Sequence, residues 1–237
     1  MYLVVAETYA LTASFRIPED HTFQETLPLP PITTLTGILG AALGLPFAEA
    51  LHYRDEHLLR IGVHGHAAGR MRDLWKYRKI KVKNNAKDIK DVLIRNYLVD
   101  FTMNLVVGCP DKNVAQTVSA ALVNPCYALV AGSSDDLLKV RRVYVEEGVA
   151  ERNQTLFSNT VLSGDHRLAS STIVLQEQPI TYTLQAPVVA LLPTEFSFEG
   201  EARRVKRREL FTFVGSPIRV AKPLPAVSVD GVSIPLL

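Results

Sequence analysis

Residues 2–16, YLVVAETYALTASFR, alternate β-branched and aromatic positions with polar ones and predict a long first strand. The polar stretch 17–26, IPEDHTFQET, predicts a loop. Pro28, Pro30 and Pro31 then hold the chain extended, and Thr33 or Thr34 is placed to cap a helix that runs to about Leu45. Residues 46–51 read as a short second helical piece. Residues 58–69 read as a strand, and from Met71 the period of two continues. It puts Trp75, Tyr77, Lys79, Lys81 and Lys83 on one face and Leu74, Lys76, Arg78, Ile80 and Val82 on the other. NNAKD at 84–88 supplies turn chemistry, and VLIRNYLVDFTMNLVVG returns as a strand to Gly108. The result is a long hairpin over about 70–100 with a basic far half. Val114, Val118, Ala121 and Leu122 mark a helix over 111–123, residues 126–132 read as a strand, and 139–148 as another.

The first 150 residues thus follow the order β-α-β-β-α-β, which predicts an α+β, ferredoxin-like (RRM-like) domain with the hairpin inserted in it. Residues 151–237 are richer in proline and β-formers, with short strands near 172–176, 180–191, 209–214 and 217–221. They read as a smaller β-rich C-terminal lobe.

The predicted first helix holds Gly37, Gly40 and Gly44, although each glycine costs a helix about 1 kcal/mol relative to alanine. With Ala41 they share one helix face. Such a face suits close packing of another backbone. It also suits a phosphodiester backbone brought to the helix N-terminus, where free N–H groups and the dipole favour anions.

Charge sharpens the picture. The net charge is only +2, but residues 70–95 carry ten Lys/Arg against Asp73, Asp88 and Asp91, and RRVKRR at 203–208 adds five more. The rest of the chain is acidic. Two basic segments on an acidic body point to a polyanion, most simply nucleic acid. In the hairpin, aromatic rings lie beside the cations, the pairing that stacks bases while neutralising phosphates. Arg70, Arg72, Trp75, Lys76, Tyr77, Arg78, Lys79, Lys81 and Lys83 are therefore candidate RNA contacts. On charge alone, Arg204, Lys206 and Arg208 join them as one face of a strand, with Arg203, Val205 and Arg207 on the other.

At 47% hydrophobic and 21% charged residues the chain is that of an ordinary globular protein. The N-terminus lacks a basic n-region and a cleavage site, and the longest uncharged apolar run is too short for a bilayer, so neither secretion nor a membrane partner is expected. Cys109 and Cys126, far apart and outside any C-x-x-C spacing, argue against zinc and fit a reducing cytoplasm. No Walker, G-x-S-x-G or H-E-x-x-H motif occurs. His64 and His66 share a strand face without a third ligand nearby in sequence. No metal, cofactor or catalytic residue is expected.

The stretch SFRIPEDHTFQETLPLPPITTLTGILGAALGL, residues 14–45, resembles the N-terminal signature of the CRISPR-associated Cas five family. A first strand ends in Ser-Phe-Arg, and a variable loop, a proline run and a Thr-led small-residue helix follow in order. LVNPCYALVAG, residues 122–132, resembles the family's fourth-strand region. The resemblance covers roughly the first 145 residues. It implies a non-catalytic subunit of a type I-B-like Cascade complex that caps the five-prime handle of the guide (CRISPR) RNA. It also implies contacts with backbone (Cas seven type) and large (Cas eight type) subunits and, through the complex, with target DNA. The hairpin would be the family's thumb, which displaces a guide nucleotide at the handle–spacer junction. The handle would lie against Ser14, Arg16, Thr33, Thr34, Thr36 and Gly37. One branch of the family cleaves precursor guide RNA with Tyr, Lys and His and no metal. His52 and Tyr53 follow the glycine helix as that branch requires, but no His occurs between His66 and His166 to complete a Lys-His pair. An endoribonuclease is thus the rival reading, and a scaffold or duplex-DNA binder the third.

Overall fold

The structure, a computed structural model, describes residues 1–17, 20, 23–79, 89–167, 171–174, 184–200 and 202–237. Along the chain come β1 (Tyr2–Ala13), β2 (Phe15–Arg16), β3 (Phe23–Gln24) and β4 (Thr26–Leu27), then α1 (Ile32–Leu43) and α2 (Phe47–Glu56). The long pair β5 (Arg60–Lys79) and β6 (Ile89–Cys109) precedes α3 (Lys112–Val123) and β7 (Lys139–Glu146). Seven strands follow: β8 (Arg152–Phe157), β9 (Thr160–Ser163), β10 (Ser171–Ile173), β11 (Val188–Glu199), β12 (Ala202–Val214), β13 (Ile218–Val229) and β14 (Val232–Ile234). Strand dominates, with three helices among the described residues.

The main sheet runs β11-β12-β9-β5-β6-β1-β7, with β3 added beside β6. The pairs β5–β6, β6–β1 and β1–β7 are all antiparallel. β1 and β6 are buried on both faces. Val4, Ala6, Leu105 and Val107 meet Leu35 and Leu39 of α1 and Val118 and Leu122 of α3. Leu3, Val5 and Val106 meet Val227, Val229 and Ile234 of β13 and β14. Burial on both sides explains why β1 begins as a continuous apolar run and alternates only further along.

Three expectations change. The boundary at residue 150 does not separate two sheets. β9, β11 and β12 extend the main sheet from β5, and Val161, Leu192, Phe211 and Phe213 join the helix-side core. The junction is local: Thr160 Oγ1 donates to the Val63 carbonyl at 2.7 Å and the Gly65 N–H to the Asn159 carbonyl at 2.9 Å. Only β8, β10, β13 and β14 form a second, smaller sheet. Secondly, residues 126–132 are not a strand. The segment's first two N–H groups serve the end of α1 instead: Cys126 donates to the Ala42 carbonyl, and Tyr127 to the Ala41 carbonyl, which also accepts from Gly44. A lone bridge, Val130 to Leu137, is what remains of pairing there. Thirdly, the C-terminal strands are displaced: 180–191 becomes β11 from Val188, 209–214 is the end of the longer β12, and 217–221 the start of β13. Residues 175 and 176 of the expected strand 172–176 lie outside the described residues, as do 180–183.

α1 starts at Ile32 with Pro31 as N-cap, so neither Thr33 nor Thr34 caps it. Its glycines have separate physical reasons. Gly44, at φ 77°, is the left-handed residue that ends the helix. At Gly40 an added Cβ would lie 2.6 Å from the Ala50 Cβ, because α2 turns back on α1 at 97°. At Gly37 an added Cβ would meet open space. Replacing Gly40 with Leu is therefore expected to cost about 1–3 kcal/mol through overpacking. Gly37→Ala is expected to hold or gain stability, by up to about 1 kcal/mol. Denaturant midpoints of the two variants against the parent chain check both.

Candidate nucleic-acid interface

β5 and β6 keep one register from Arg60↔Gly108 to Lys79↔Ile89. Up to about Gly69 this ladder belongs to the core. Beyond it the ribbon leaves the body, and Met71, Leu74, Trp75 and Val92 are exposed. β3 lies alongside its outer half, with Phe23 opposite Ile94, and Asn96 donates to Glu25 Oε2 at 2.8 Å. Arg72 lies over the Phe23 ring at 5.3 Å. Two-stranded ribbons are marginal in water, so these contacts matter to its order.

Trp75 and Tyr77 share a face, as alternation predicts, and their rings stack at 5.3 Å and 25°. The Arg95 guanidinium lies over Trp75 at 4.3 Å and over Tyr97 at 4.9 Å. Tyr97, Arg95, Trp75 and Tyr77 thus form one column on the ribbon. Sequence reasoning missed Arg95; the signal available was the fixed register, which sets it opposite Asp73 and diagonal to Trp75. Arg70, Arg72 and Lys76 are exposed and, by alternation, lie on the other face from the rings. Arg78 and Lys79 end β5, opposite Lys90 and Ile89. Lys81 and Lys83 lie outside the described residues.

The residues expected to meet the handle divide. Ser14 Oγ donates to Asp136 Oδ2 at 2.6 Å, and Thr12 Oγ1 to the other oxygen of that buried carboxylate at 2.5 Å. The Ser14 hydroxyl is thereby committed to holding the 133–138 turn. Thr36 is a correction: it is fully buried and donates back to the Ile32 carbonyl at 2.9 Å, so its hydroxyl is not displayed. Thr33, Thr34 and Gly37 form the part-exposed stripe of α1. Arg16 is exposed and donates to the Asp20 carbonyl at 3.1 Å. Arg70 lines a cavity of about 240 Å³ with Pro28, Gln185, Ala186, Val188, Phe213 and Gly215. The proline run, the root of the hairpin and the C-terminal strands therefore converge.

The second basic segment is strand β12, as supposed, but its cations are not alone. Arg204 reaches Glu199 at 3.1 Å, Lys206 reaches Glu195 at 4.0 Å, and Arg207 reaches Glu209 at 3.4 Å. Arg208 is exposed beside them. The face of Arg203 is not simply cationic. Its guanidinium lies 5.0 Å over both Phe47 and Phe196, and Phe47 also packs edge-on against Phe198.

The family model described as CRISPR-associated protein (Cas_Cas5) matches residues 3–185. The chain belongs to this family. Among solved structures, a "CRISPR RNA-guided surveillance complex" chain matches at 18% identity and TM-score 0.55, covering 94% of this chain and 90% of that one. A CRISPR protein from Archaeoglobus fulgidus matches at 11% identity and TM-score 0.57, covering the whole of both chains. These likenesses are of fold. No curated relative matches.

In this Cas5-family chain the residues weighed for catalysis or metal binding are split between α2, with His52 and Tyr53, and β5, with His64 and His66. His52 is 80% exposed and lies 3.6 Å from Glu56 on the same helix. Tyr53 packs against the core with its ring edge-on to His57 at 4.3 Å, and burial raises its phenol pKa. His64 and His66 lie on the sheet face away from the helices. Sequence reasoning missed what the same face carries further along the sheet, beyond β6 and β1. A bulge in β7 between the partners of Glu7 and Thr8 sends two consecutive arginines to this face, Arg141 over Tyr9 at 4.3 Å and Arg142 over Tyr144 at 4.7 Å.

Burial, with a smaller contribution from His66, lowers the His64 pKa. The unfolded chain therefore takes up this proton first as pH falls below about 6.5. His64 stabilises the fold least at acid pH. Its share is complete above about 6.5 and is lost as pH falls towards the lower folded-state pKa. Acidification from about pH 7.5 to about 5.5 is expected to lower the denaturation midpoint, and His64→Gln to flatten that dependence. Parallel pH profiles for variant and parent would reject this.

Proposed function

We propose that the chain is a non-catalytic, RNA-binding subunit of a CRISPR effector complex of type I-B-like composition, holding the five-prime handle of the guide RNA. The order β7-β1-β6-β5, with α1 and α3 packed on one face, is read as the ferredoxin-like (RRM-like) unit, and the outer half of β5–β6 as its thumb. The carrying observation is that outer ribbon: exposed Arg70, Arg72 and Lys76 backed by a Trp75–Tyr77 stack. Cations supply sequence-independent affinity and rings take unpaired bases. Thr33, Thr34, Gly37 and Arg16 remain the proposed handle contacts. Arg204, Lys206 and Arg208 are a secondary surface, because Arg204 and Lys206 must exchange carboxylates for phosphates. Backbone (Cas seven type) and large (Cas eight type) subunits are the proposed protein partners. Membership of the family and two free thiols support work in the cytoplasm.

The test is the salt dependence of binding to a fluorescein-labelled single-stranded handle RNA, read by anisotropy. The variant carrying Arg70→Ala, Arg72→Ala and Lys76→Ala is expected to bind more weakly. Its slope of log K against log salt should fall by about 0.7 for each phosphate that the variant no longer neutralises. An unchanged slope would remove the hairpin from the interface. Tighter binding to duplex DNA than to the handle would favour the duplex-binding reading, and cleavage of repeat RNA in EDTA the endoribonuclease.

A further inference from the structure

One cation of the hairpin behaves unlike the others. Arg70, Arg72 and Lys76 are exposed, whereas the Arg95 side chain keeps only 13% exposure. Its Nε is buried without a hydrogen-bond partner, and among the described residues its carboxylate partner, Asp73, is 4.0 Å away. An unpaired buried donor is costly unless something compensates. Here the compensation is two aromatic faces, Trp75 at 4.3 Å and Tyr97 at 4.9 Å. Cation–π attraction grows when the cation is desolvated. Arg95 has its charge turned into the column and away from the phosphate side of the ribbon.

We propose that Arg95 is a positioning residue: wedged between Tyr97 and Trp75, it holds the indole upright against Tyr77, so that the exposed part of Trp75 is a ready stacking surface for one unpaired base of a single-stranded RNA. This rests on the guide-binding reading of the hairpin. A base, rather than an apolar side chain of a protein, is the occupant because of the surrounding charge. Asp73 shares the ring face with Arg95, and the exposed Arg70, Arg72 and Lys76 lie on the other face of a ribbon only two strands wide, so the phosphates on either side of a stacked base are met from across the ribbon's edge. Fixing the ring beforehand lowers the ordering cost at binding. Arg95 and the phosphate-facing cations then have separable signatures. Removing Arg95 weakens stacking and leaves the salt slope alone, whereas removing Arg72 or Lys76 does the reverse.

Trp75 is the only tryptophan in the chain, so its emission reports this surface directly. The full chain is titrated with a short single-stranded oligoadenylate. Binding is followed by anisotropy of a labelled copy and stacking by quenching of Trp75 with an unlabelled one. The parent protein is expected to show both signals together. Arg95→Lys keeps the charge and removes the planar fork. It is expected to red-shift the emission of the free protein, to lose most of the quenching, and to weaken binding by about 5- to 160-fold, the range one stacked base is worth. Its salt slope should match the parent's. Arg95→Ala should behave alike, and an unchanged melting temperature in either variant excludes unfolding as the cause. Parent-like emission and quenching in Arg95→Lys would overturn the proposal. So would a slope reduced by about 0.7 in Arg95→Ala, which would make Arg95 a phosphate ligand. Anisotropy without quenching in the parent would overturn it while leaving guide binding intact. No anisotropy change at all would overturn the guide-binding reading itself.

Discussion

The unbroken register between β5 and β6 is the constraint on which the rest of the molecule depends. The pairing runs from Arg60 to Lys79 without a slip, from a root clamped on both faces to an outer half in solvent. On one face of the root, Ile61, Val63, Leu105 and Val107 join the helix-side core. On the other, Gly62 and Gly108 leave room for the last residues of the chain. A Cβ on Gly62 would lie 2.5 Å from the Pro235 carbonyl oxygen, and one on Gly108 would lie 2.7 Å from Leu236. Leu237 and Ile61 exchange backbone hydrogen bonds at 3.1 Å in both directions. Because side chains alternate strictly along such a ladder, a one-residue slip would turn the whole ring column to the other side. The buried root therefore sets which face of the exposed ribbon carries Trp75 and Tyr77.

What could be read from the sequence was what local pattern encodes. Period-two alternation located β1, β5 and β6, a 3.6-residue stripe located α3, and the proline run followed by small residues located α1. What escaped it was pairing between distant segments. Nothing near Thr160 announces that it will bond to Val63, and so the extension of the main sheet beyond residue 150 was invisible. The segment 126–132 has strand-like composition, but the last carbonyls of α1 claim the N–H groups of Cys126 and Tyr127. Ser14 looks available in one dimension because Asp136, 122 residues later, is not seen beside it. Thr36 looks like a displayed hydroxyl because the sequence does not say which side of a helix is buried.

The glycines of α1 illustrate how one composition conceals several causes. Along the sequence a single explanation, close approach by sheet or ligand, is sufficient for all three. In the structure Gly44 answers to backbone conformation and Gly40 to the sharp turn into α2, and Gly37 alone has empty space before it. Only Gly37 therefore bears on ligand approach, and it does so on the same stripe as Thr33 and Thr34, above the first turn where the helix N–H groups are open. The part of α1 that packing does not use is thus narrower than the motif, and it lies at the end nearest the proline run.

Charge counting treats the two basic segments as equivalent, and the structure separates them. Along β12, Arg204, Lys206 and Arg207 face glutamates of β11 and of their own strand, within 3.1–4.0 Å. Exposed pairs of this kind contribute little to stability. Yet a phosphate arriving there must compete with a carboxylate already in place, and the net gain in attraction is small. Along β5–β6 acidic residues are few, and the most enclosed arginine is tied to aromatic rings. A phosphate arriving at Arg70, Arg72 or Lys76 adds attraction where a phosphate at Arg204 mostly substitutes for it. Two stretches of equal cationic appearance thus differ in what they offer a polyanion, and the difference lies in the partner strand rather than in the basic segment itself.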